Sequence, residues 1–391
     1  MRMFKCLTIA CLVLLFSCKS TNEEPDGSIV LKVENNCDAM NDNPIEITSF
    51  VDSVRFIKLE ATENSLFSVL SGLYFTEDKI ILVDRMSHKI LVFTSDGKFL
   101  NQISRAGRGH NEYLGFSQCM FDEKNQQIIL SELMKNRLIY YDLNGNFIRD
   151  IPGFSGDDMI RDIINLPNGD FLCYSFDFSE KDSKEDNSHS GLWEVDSLGH
   201  FVCYYKTYPN IYPVVLNVGN GYLSRLSDGR IAVRDGYFSD IYILENEKLT
   251  KYISYDIDRN NLLRYENQKS SMDQKHYTFC TASQIKGRYI FSRWNDDNRK
   301  PFSTLYDMKK ETFVCSDSIK YENEKFVALK GWITDSNLDN AVVLSINEMT
   351  VKSTFNDPAV SEKTKKKLKE VLNGESPDDM NYILEILYLK K

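Results

Sequence analysis

A chain of 391 residues, 42% hydrophobic, with 21 Tyr and 23 Phe, is long enough to bury a large core, and its aromatic content favours strands. The formal net charge is −10, and it falls by two more if Arg2 and Lys5 leave with the leader described below, so no basic patch suggests nucleic acid. Once the leader is set aside, the remaining cysteines show no CxxC pair and no metal-ligand spacing, which leaves no metal site to assign.

The chain opens with Arg2 and Lys5, an apolar run from Leu7 to Phe16, and then Ser17-Cys18. That is the three-part layout of a secretory signal, and the run is too short to span a bilayer comfortably. Leu15-Phe16-Ser17-Cys18 resembles the lipobox of bacterial lipoproteins, which implies a signal peptide over residues 1–17 and lipidation at Cys18. An ordinary cleaved signal and a buried N-terminal helix are the alternatives. Lys19 to Gly27 is polar and acidic, cannot bury apolar surface, and reads as the start of a flexible tether spanning 18–44. It resembles the acidic export tag of some Gram-negative surface lipoproteins. The expected location is therefore the outer membrane, facing either the periplasm or the cell surface, with the lipid as the membrane contact.

An internal repeat organises the rest. Lys79-Ile80-Ile81-Leu82-Val83-Asp84-Arg85-Met86 overlays Gln127-Ile128-Ile129-Leu130-Ser131-Glu132-Leu133-Met134 at an offset of 48 residues. The same offset carries Lys89-Ile90-Leu91-Val92-Phe93 onto Arg137-Leu138-Ile139-Tyr140-Tyr141, and Asp96-Gly97-Lys98-Phe99-Leu100 onto Asn144-Gly145-Asn146-Phe147-Ile148. Each copy reads as apolar strands joined by tight turns, with Asp-Gly or Asn-Gly supplying positive φ angles. Weaker copies follow around Asn168-Gly169, Asp228-Gly229, Gly287-Arg288 and Phe326-Val327, for a count of about six. A period of this length marks a repeated antiparallel meander, and four-stranded meanders repeated about a ring form a propeller.

The predicted fold is therefore all-β, a six-bladed β-propeller of four-stranded antiparallel blades occupying 45–391. Val54 to Leu59 and Tyr382 to Leu389 are candidates to complete the last blade together, and one short helix, about 358–373, precedes the closing strand. Its basic run, Lys363 to Lys369, reads most simply as a solvated face. Cys37, Cys119, Cys173, Cys203, Cys280 and Cys315 are widely scattered, several in apolar strands, so few or no disulfides are expected.

From Phe56 to Gly153 the chain resembles the six-bladed propeller lipoproteins related to NHL-repeat proteins. The residues that carry the resemblance are Phe56-Ile57-Lys58-Leu59-Glu60, the first blade from Ile80 to Leu100, and the loop Arg105-Ala106-Gly107-Arg108-Gly109-His110-Asn111-Glu112-Tyr113. That family's loop usually reads Gly-x-Gly-Pro-Gly-Glu-Tyr, and here His110 and Asn111 replace the Pro and the following Gly. The resemblance implies the fold much more than any activity.

Candidate ligand contacts are Arg105, Arg108, His110, Glu112 and Tyr113, where glycines would let backbone amides approach an anion and arginines supply charge. A structural connection between blades is the competing reading. Arg293 and Trp294 form a second candidate, because an aromatic beside hydrogen-bonding groups suits a sugar ring; packing is the competing reading there, as it is for Trp332. Further charged candidates on loops are Asp84, Arg85, Arg234 and Asp235. The five histidines, His88, His110, His189, His200 and His276, lack metal-binding spacing, and neither a cofactor nor a catalytic residue can be assigned. Three function classes remain: a binding or scaffold module for a glycan, peptide or envelope protein; a hydrolase or lyase acting on a small or sugar-like substrate in the channel; and a structural subunit of an envelope complex. Carboxylates or histidines from several blades meeting at the channel would favour the second.

Overall fold

The structure is a computed structural model that describes residues 28–33, 44–132, 137–152, 160–175, 191–207, 222–226, 228–235, 240–256, 279–296, 300–321, 327–329 and 332–391. The leader, Cys18, Cys37, His189 and His276 lie outside the described residues.

Six sheets arranged as blades form the propeller. Blade one comprises Gly72–Phe75, Lys79–Asp84, Lys89–Thr94 and Phe99–Ile103, and blade two Phe116–Asp122, Gln127–Glu132, Arg137–Asp142 and Phe147–Pro152. Blade three runs from Ile160–Asn165 to Phe201–Thr207, blade four from Leu223–Arg225 to Lys248–Asp256, and blade five from Phe279–Lys286 to Thr312–Ser316. In each the strands follow one another as an antiparallel meander. Blade six joins the two ends of the chain: Trp332–Thr334, Ala341–Ile346 and Ile383–Leu389 are completed by Val51–Lys58. The register pairs Lys58 with Ile383 and Val54 with Leu387, the closure expected from the sequence.

Burial explains why the repeat was visible. The two middle strands of a blade are covered on both faces by neighbouring blades, so they read as unbroken apolar runs rather than as alternation. Ile80, Ile81, Leu82, Leu91 and Phe93 are all fully buried, whereas the outer strand Phe99–Ile103 is largely part-exposed. Separate apolar layers fill the ring between successive blades. Ile57, Leu82, Leu91, Val343 and Ile386 seal blade six to blade one, Ile81, Leu130 and Tyr141 seal one to two, and equivalent layers fill the other four interfaces.

The aligned turns share one geometry. Gly97 and Gly145 have φ of 92° and 81°; Thr94 N donates to Lys98 O at 2.8 Å and Asp142 N to Asn146 O at 3.0 Å. A bulge follows in the pairing of each.

Ile29–Lys32, inside the stretch expected to be a tether, is instead a strand that pairs in parallel with Lys248–Asp256 at the rim of blade four. Its Leu31 and the adjoining Val33 are buried in the layer shared with blade five, which is the apolar content that lets this segment order. Ile45–Glu46 likewise pairs with Ile319–Lys320.

Two helices, not one, fill the excursion between the second and third strands of blade six: α1, Glu348–Asn356, and α2, Glu362–Leu372. The second matches the expected helix but begins after Pro358, because Ser361 caps it by accepting a hydrogen bond from Thr364 N. Asn347 caps the first in the same way through Thr350 N. Val351, Leu368 and Leu372 anchor both against Ile383 and Ile346 of blade six. Among the described residues, no disulfide joins Cys119, Cys173, Cys203, Cys280 and Cys315.

Candidate functional site

The first strand of each blade lies against the axis, and together these strands and their connections line a central cavity of about 590 Å³. Their side chains face solvent in the channel rather than a neighbouring blade, so polar residues are tolerated there, and charges arrive from all six blades.

Blade one supplies Tyr74 and Arg85. The Tyr74 hydroxyl donates to Cys119 O at 2.6 Å, and burial raises its pKa well above the ordinary phenol value. Arg85 follows the second strand and donates from Nη1 to Ser117 O at 3.2 Å. Blade three supplies Asp162 from a strand whose pairing is irregular between Ile160 and Asp162. Asp162 Oδ2 accepts from Leu223 N at 2.9 Å and Oδ1 from Ile163 N at 2.9 Å, tying blade three to blade four. Burial pushes the Asp162 carboxyl up to about 7, the charge on Asp335 adds to the rise, and the amide donors oppose it.

The other charges come from blades two, four, five and six. Lys286, at the end of Phe279–Lys286, is 7% exposed, and its Nζ donates to Ser336 O at 2.5 Å. Burial lowers its pKa, while Asp335 and Asp339 act in the opposite sense. Arg225 donates to Asn165 O, with Glu123 and Asp339 the acids that act on it. Burial raises the Asp339 carboxyl. Asn337 stitches the ring closed: its Oδ1 accepts from Phe75 N at 2.7 Å and its Nδ2 donates to Phe75 O at 3.0 Å and Glu123 Oε1 at 2.5 Å.

The model of the family described as "Domain of unknown function (DUF4934)" matches residues 28–388, which spans the whole ring and this cavity. The chain belongs to the DUF4934 family. No curated protein matches it in sequence. Among solved structures, the DUF4934 chain is similar to a protein of Bacteroides fragilis NCTC 9343 whose name proposes that it is exported. The TM-score is 0.71 at 17% identity, covering 93% of this chain and 99% of that one. A member of the DUF4221 family from Bacteroides vulgatus ATCC 8482 is similar at TM-score 0.52 and 11% identity, covering 87% of this chain and 97% of that one. At these identities the likeness is one of fold.

The DUF4934 chain places its sequence-predicted candidates away from the cavity lining, with the exception of Arg85. The loop from Arg105 to Tyr113 joins blades one and two. Glu112 Oε2 accepts from Gly109 N at 2.8 Å, so this amide already holds a carboxylate of the loop itself. Tyr113 is buried, its hydroxyl donating to His88 O at 2.8 Å, and Arg105 Nη2 donates to Gly145 O at 3.0 Å. Buried Arg137 gathers the loop by donating to His110 O and Glu112 O while pairing with Glu132 at 2.6 Å and Asp150 at 2.7 Å. Arg108 is engaged as well. The His110 ring meets Phe147 edge-on at 5.0 Å.

Trp294 is fully buried in the layer between blades four and five, its Nε1 donating to Thr304 Oγ1 at 3.1 Å and its ring edge-on to Tyr255; neighbouring Arg293 is exposed. Asp84 caps a turn, accepting from Ser68, Met86 and Ser87 amides. Arg234 lies over the Tyr222 ring, and Asp235 pairs with Lys206 at 3.2 Å. Among the described residues no group of three or more His, Cys, Asp or Glu is arranged to hold a metal ion.

Tyr74, Asp162, Arg225, Lys286, Asp335 and Asp339 were not singled out in the sequence. A signal for some of them existed: Arg161-Asp162 interrupts an otherwise apolar Ile160–Asn165 strand, and Lys286 ends a strand immediately before the Gly287 turn. The first strands belong to the weaker part of the repeat, so no alignment of copies brought these positions together.

Proposed function

We propose that this chain is an exported, lipid-anchored propeller that binds a small polar ligand in its central channel. The observation that carries the binding role is the convergence of Arg85, Asp162, Arg225, Lys286, Asp335 and Asp339, from five blades, on one cavity of about 590 Å³. This volume falls within the usual range for ligand cavities, about 300–1,000 Å³. Charges on a β-protein ordinarily sit on its outer surface; desolvating Lys286 and Asp162 costs stability, and groups perturbed in this way concentrate at functional sites. The anchoring role rests on the Leu15 to Cys18 signal, with the fold shared by a Bacteroides protein named as exported in support. Among the described residues no helix is long and apolar enough to cross a membrane.

The binding role is tested by a thermal-shift screen of small polar metabolites on the full chain and on Lys286→Met, which removes a buried charge with little change of volume. A ligand in the channel raises the midpoint of the wild type and not of the variant, because it stabilises only the state that binds it. Hits that raise both midpoints equally place binding elsewhere and refute the channel. Cys18→Ala should move the protein from the membrane to the soluble fraction; unchanged membrane association overturns the anchor.

A hydrolase or lyase is the second reading, favoured by one observation: Asp162, with a pKa of about 7, faces Tyr74 and Arg85 in the channel and could exchange a proton near neutral pH. Conversion of a channel ligand by the wild type, lost in Asp162→Asn, would establish it.

A further inference from the structure

At the Lys286 end of the cavity, opposite charges from different blades face one another without pairing. Among the described residues, the hydrogen bond of Lys286 Nζ is to Ser336 O, which leaves two of its three N–H directions for other partners. Asp335 and Asp339 are near enough to act on it electrostatically, yet neither forms an ion pair with it among the described residues. Arg225 repeats the arrangement, held to Asn165 O with Glu123 and Asp339 nearby and no ion pair among the described residues. Ser336, which also lines the cavity, has a buried hydroxyl oxygen without a hydrogen-bond partner. Lys286 and Ser336 are buried, where an unmet donor or acceptor is costly, and Asp335, Asp339 and Arg225 stand beside them, so this end of the channel holds unused donors and unused acceptors side by side.

The mixture restricts what can satisfy it. A carboxylate or phosphate would pair with Lys286 and Arg225 but be set against Asp335, Asp339 and Glu123. An ammonium ligand would meet the acids and oppose the cations. A hydroxyl donates one hydrogen bond and accepts others, so several hydroxyls on one small frame can bridge acids to cations with no net charge. Tyr74 adds an aromatic ring to the same lining, a surface on which the C–H face of a compact ring can rest.

Building on the channel-binding reading, we infer that the cavity takes a neutral polyhydroxylated ligand, a sugar or the terminal sugar of a glycan, whose hydroxyls bridge Asp339 and Asp335 to Lys286 and Arg225. Donors and acceptors are then used together, and neither a purely anionic nor a purely cationic ligand matches the lining as well.

The experiment is calorimetric titration of the full chain with galactose, mannose, xylose, lactose and a neutral oligosaccharide, beside galacturonate, glucosamine and diglycine. Lys286→Met, Asp339→Asn and the milder Ser336→Ala are titrated in parallel, each checked for an intact melting transition. A neutral sugar should bind, and Lys286→Met and Asp339→Asn should each weaken it by about tenfold or more, the loss expected for a hydrogen bond to a charged group. Binding of lactose or the oligosaccharide over the monosaccharides identifies a glycan end as the source, and the reverse a free sugar. Preference for galacturonate with sensitivity to Lys286 alone, for glucosamine with sensitivity to Asp339 alone, or for the zwitterion diglycine with sensitivity to both, overturns the ligand class and leaves the channel as the binding site. If no neutral sugar binds, the inference fails; if no probe at all binds in a manner that depends on Lys286, Asp339 or Ser336, the channel reading fails with it.

Discussion

Asp162 shows how one side chain can couple the channel to pH. Its carboxyl is raised to about 7 by burial, with Asp335 adding to the rise and the amides of Leu223 and Ile163 opposing it, while Tyr74 and Arg85 face the same space. The folded protein therefore holds this proton more tightly than the unfolded chain does. The stability associated with it is complete below the ordinary carboxylate range and drains away as pH rises through about 7. Glu385, buried and accepting from Leu329 N, has the same sign. The wild type should accordingly melt lower at about pH 8 than at about pH 5, and Asp162→Asn should shrink that difference. A pH-dependence of melting identical in the variant would show that Asp162 is not desolvated. At this scale the sequence was a poor guide to the site. Tyr113 and Trp294 were chosen for their chemistry, yet one is hydrogen-bonded inside a blade connection and the other packs against Tyr255. Arg85 was legible because it adjoins the strong repeat. Asp162 and Lys286 were not, since a charge in a strand looks the same in sequence whether it faces bulk water or a channel.

Elements were more legible than side chains, for a reason visible in the burial of the blades. Strands such as Lys79–Asp84 and Gln127–Glu132 are covered on both faces, and that double burial wrote the apolar runs that revealed the repeat. Helix α1 was hidden because Glu348–Asn356 is rich in Thr, Ser, Val and Phe, weak helix formers that tertiary contacts through Val351 override. The Arg105 to Tyr113 loop is likewise held from outside, by Arg137, in addition to its own bonds through Gly107 and Gly109. Arg137→Met would leave Glu132 buried without its cation, a change that costs about 3–5 kcal/mol for a broken buried pair. Denaturant melts should report that loss, and trypsin should cut after Arg105 or Arg108 much faster than in the wild type. Unchanged cleavage would show that the loop holds its shape without Arg137.

On the scale of the whole ring, the seam between blades six and one is closely constrained. Gly97 has a positive φ of 92°, and a Cβ there would sit 2.3 Å from Lys58 O of the closing strand. Gly229, in the turn between the first two strands of blade four, has φ of 87° with nothing within 4 Å of such a Cβ. Gly229→Ala should cost about 1–2 kcal/mol, the penalty of a left-handed Cβ alone, and Gly97→Ala distinctly more, because the seam must also shift. Equal losses in a chemical-denaturation comparison would mean that the turn does not press on the closing strand. The seam also sets a timetable. Val51–Lys58 is synthesised early, but its ladder partner Ile383–Leu389 follows far along the chain, so the early strand must remain an unpaired edge until that partner is made. Contacts this distant along the chain form slowly, and waiting edges are where chains stick to one another. Ring closure is thus a late event in the folding of each molecule, and a chain arrested before Ile383–Leu389 would present two open edges instead of a finished ring.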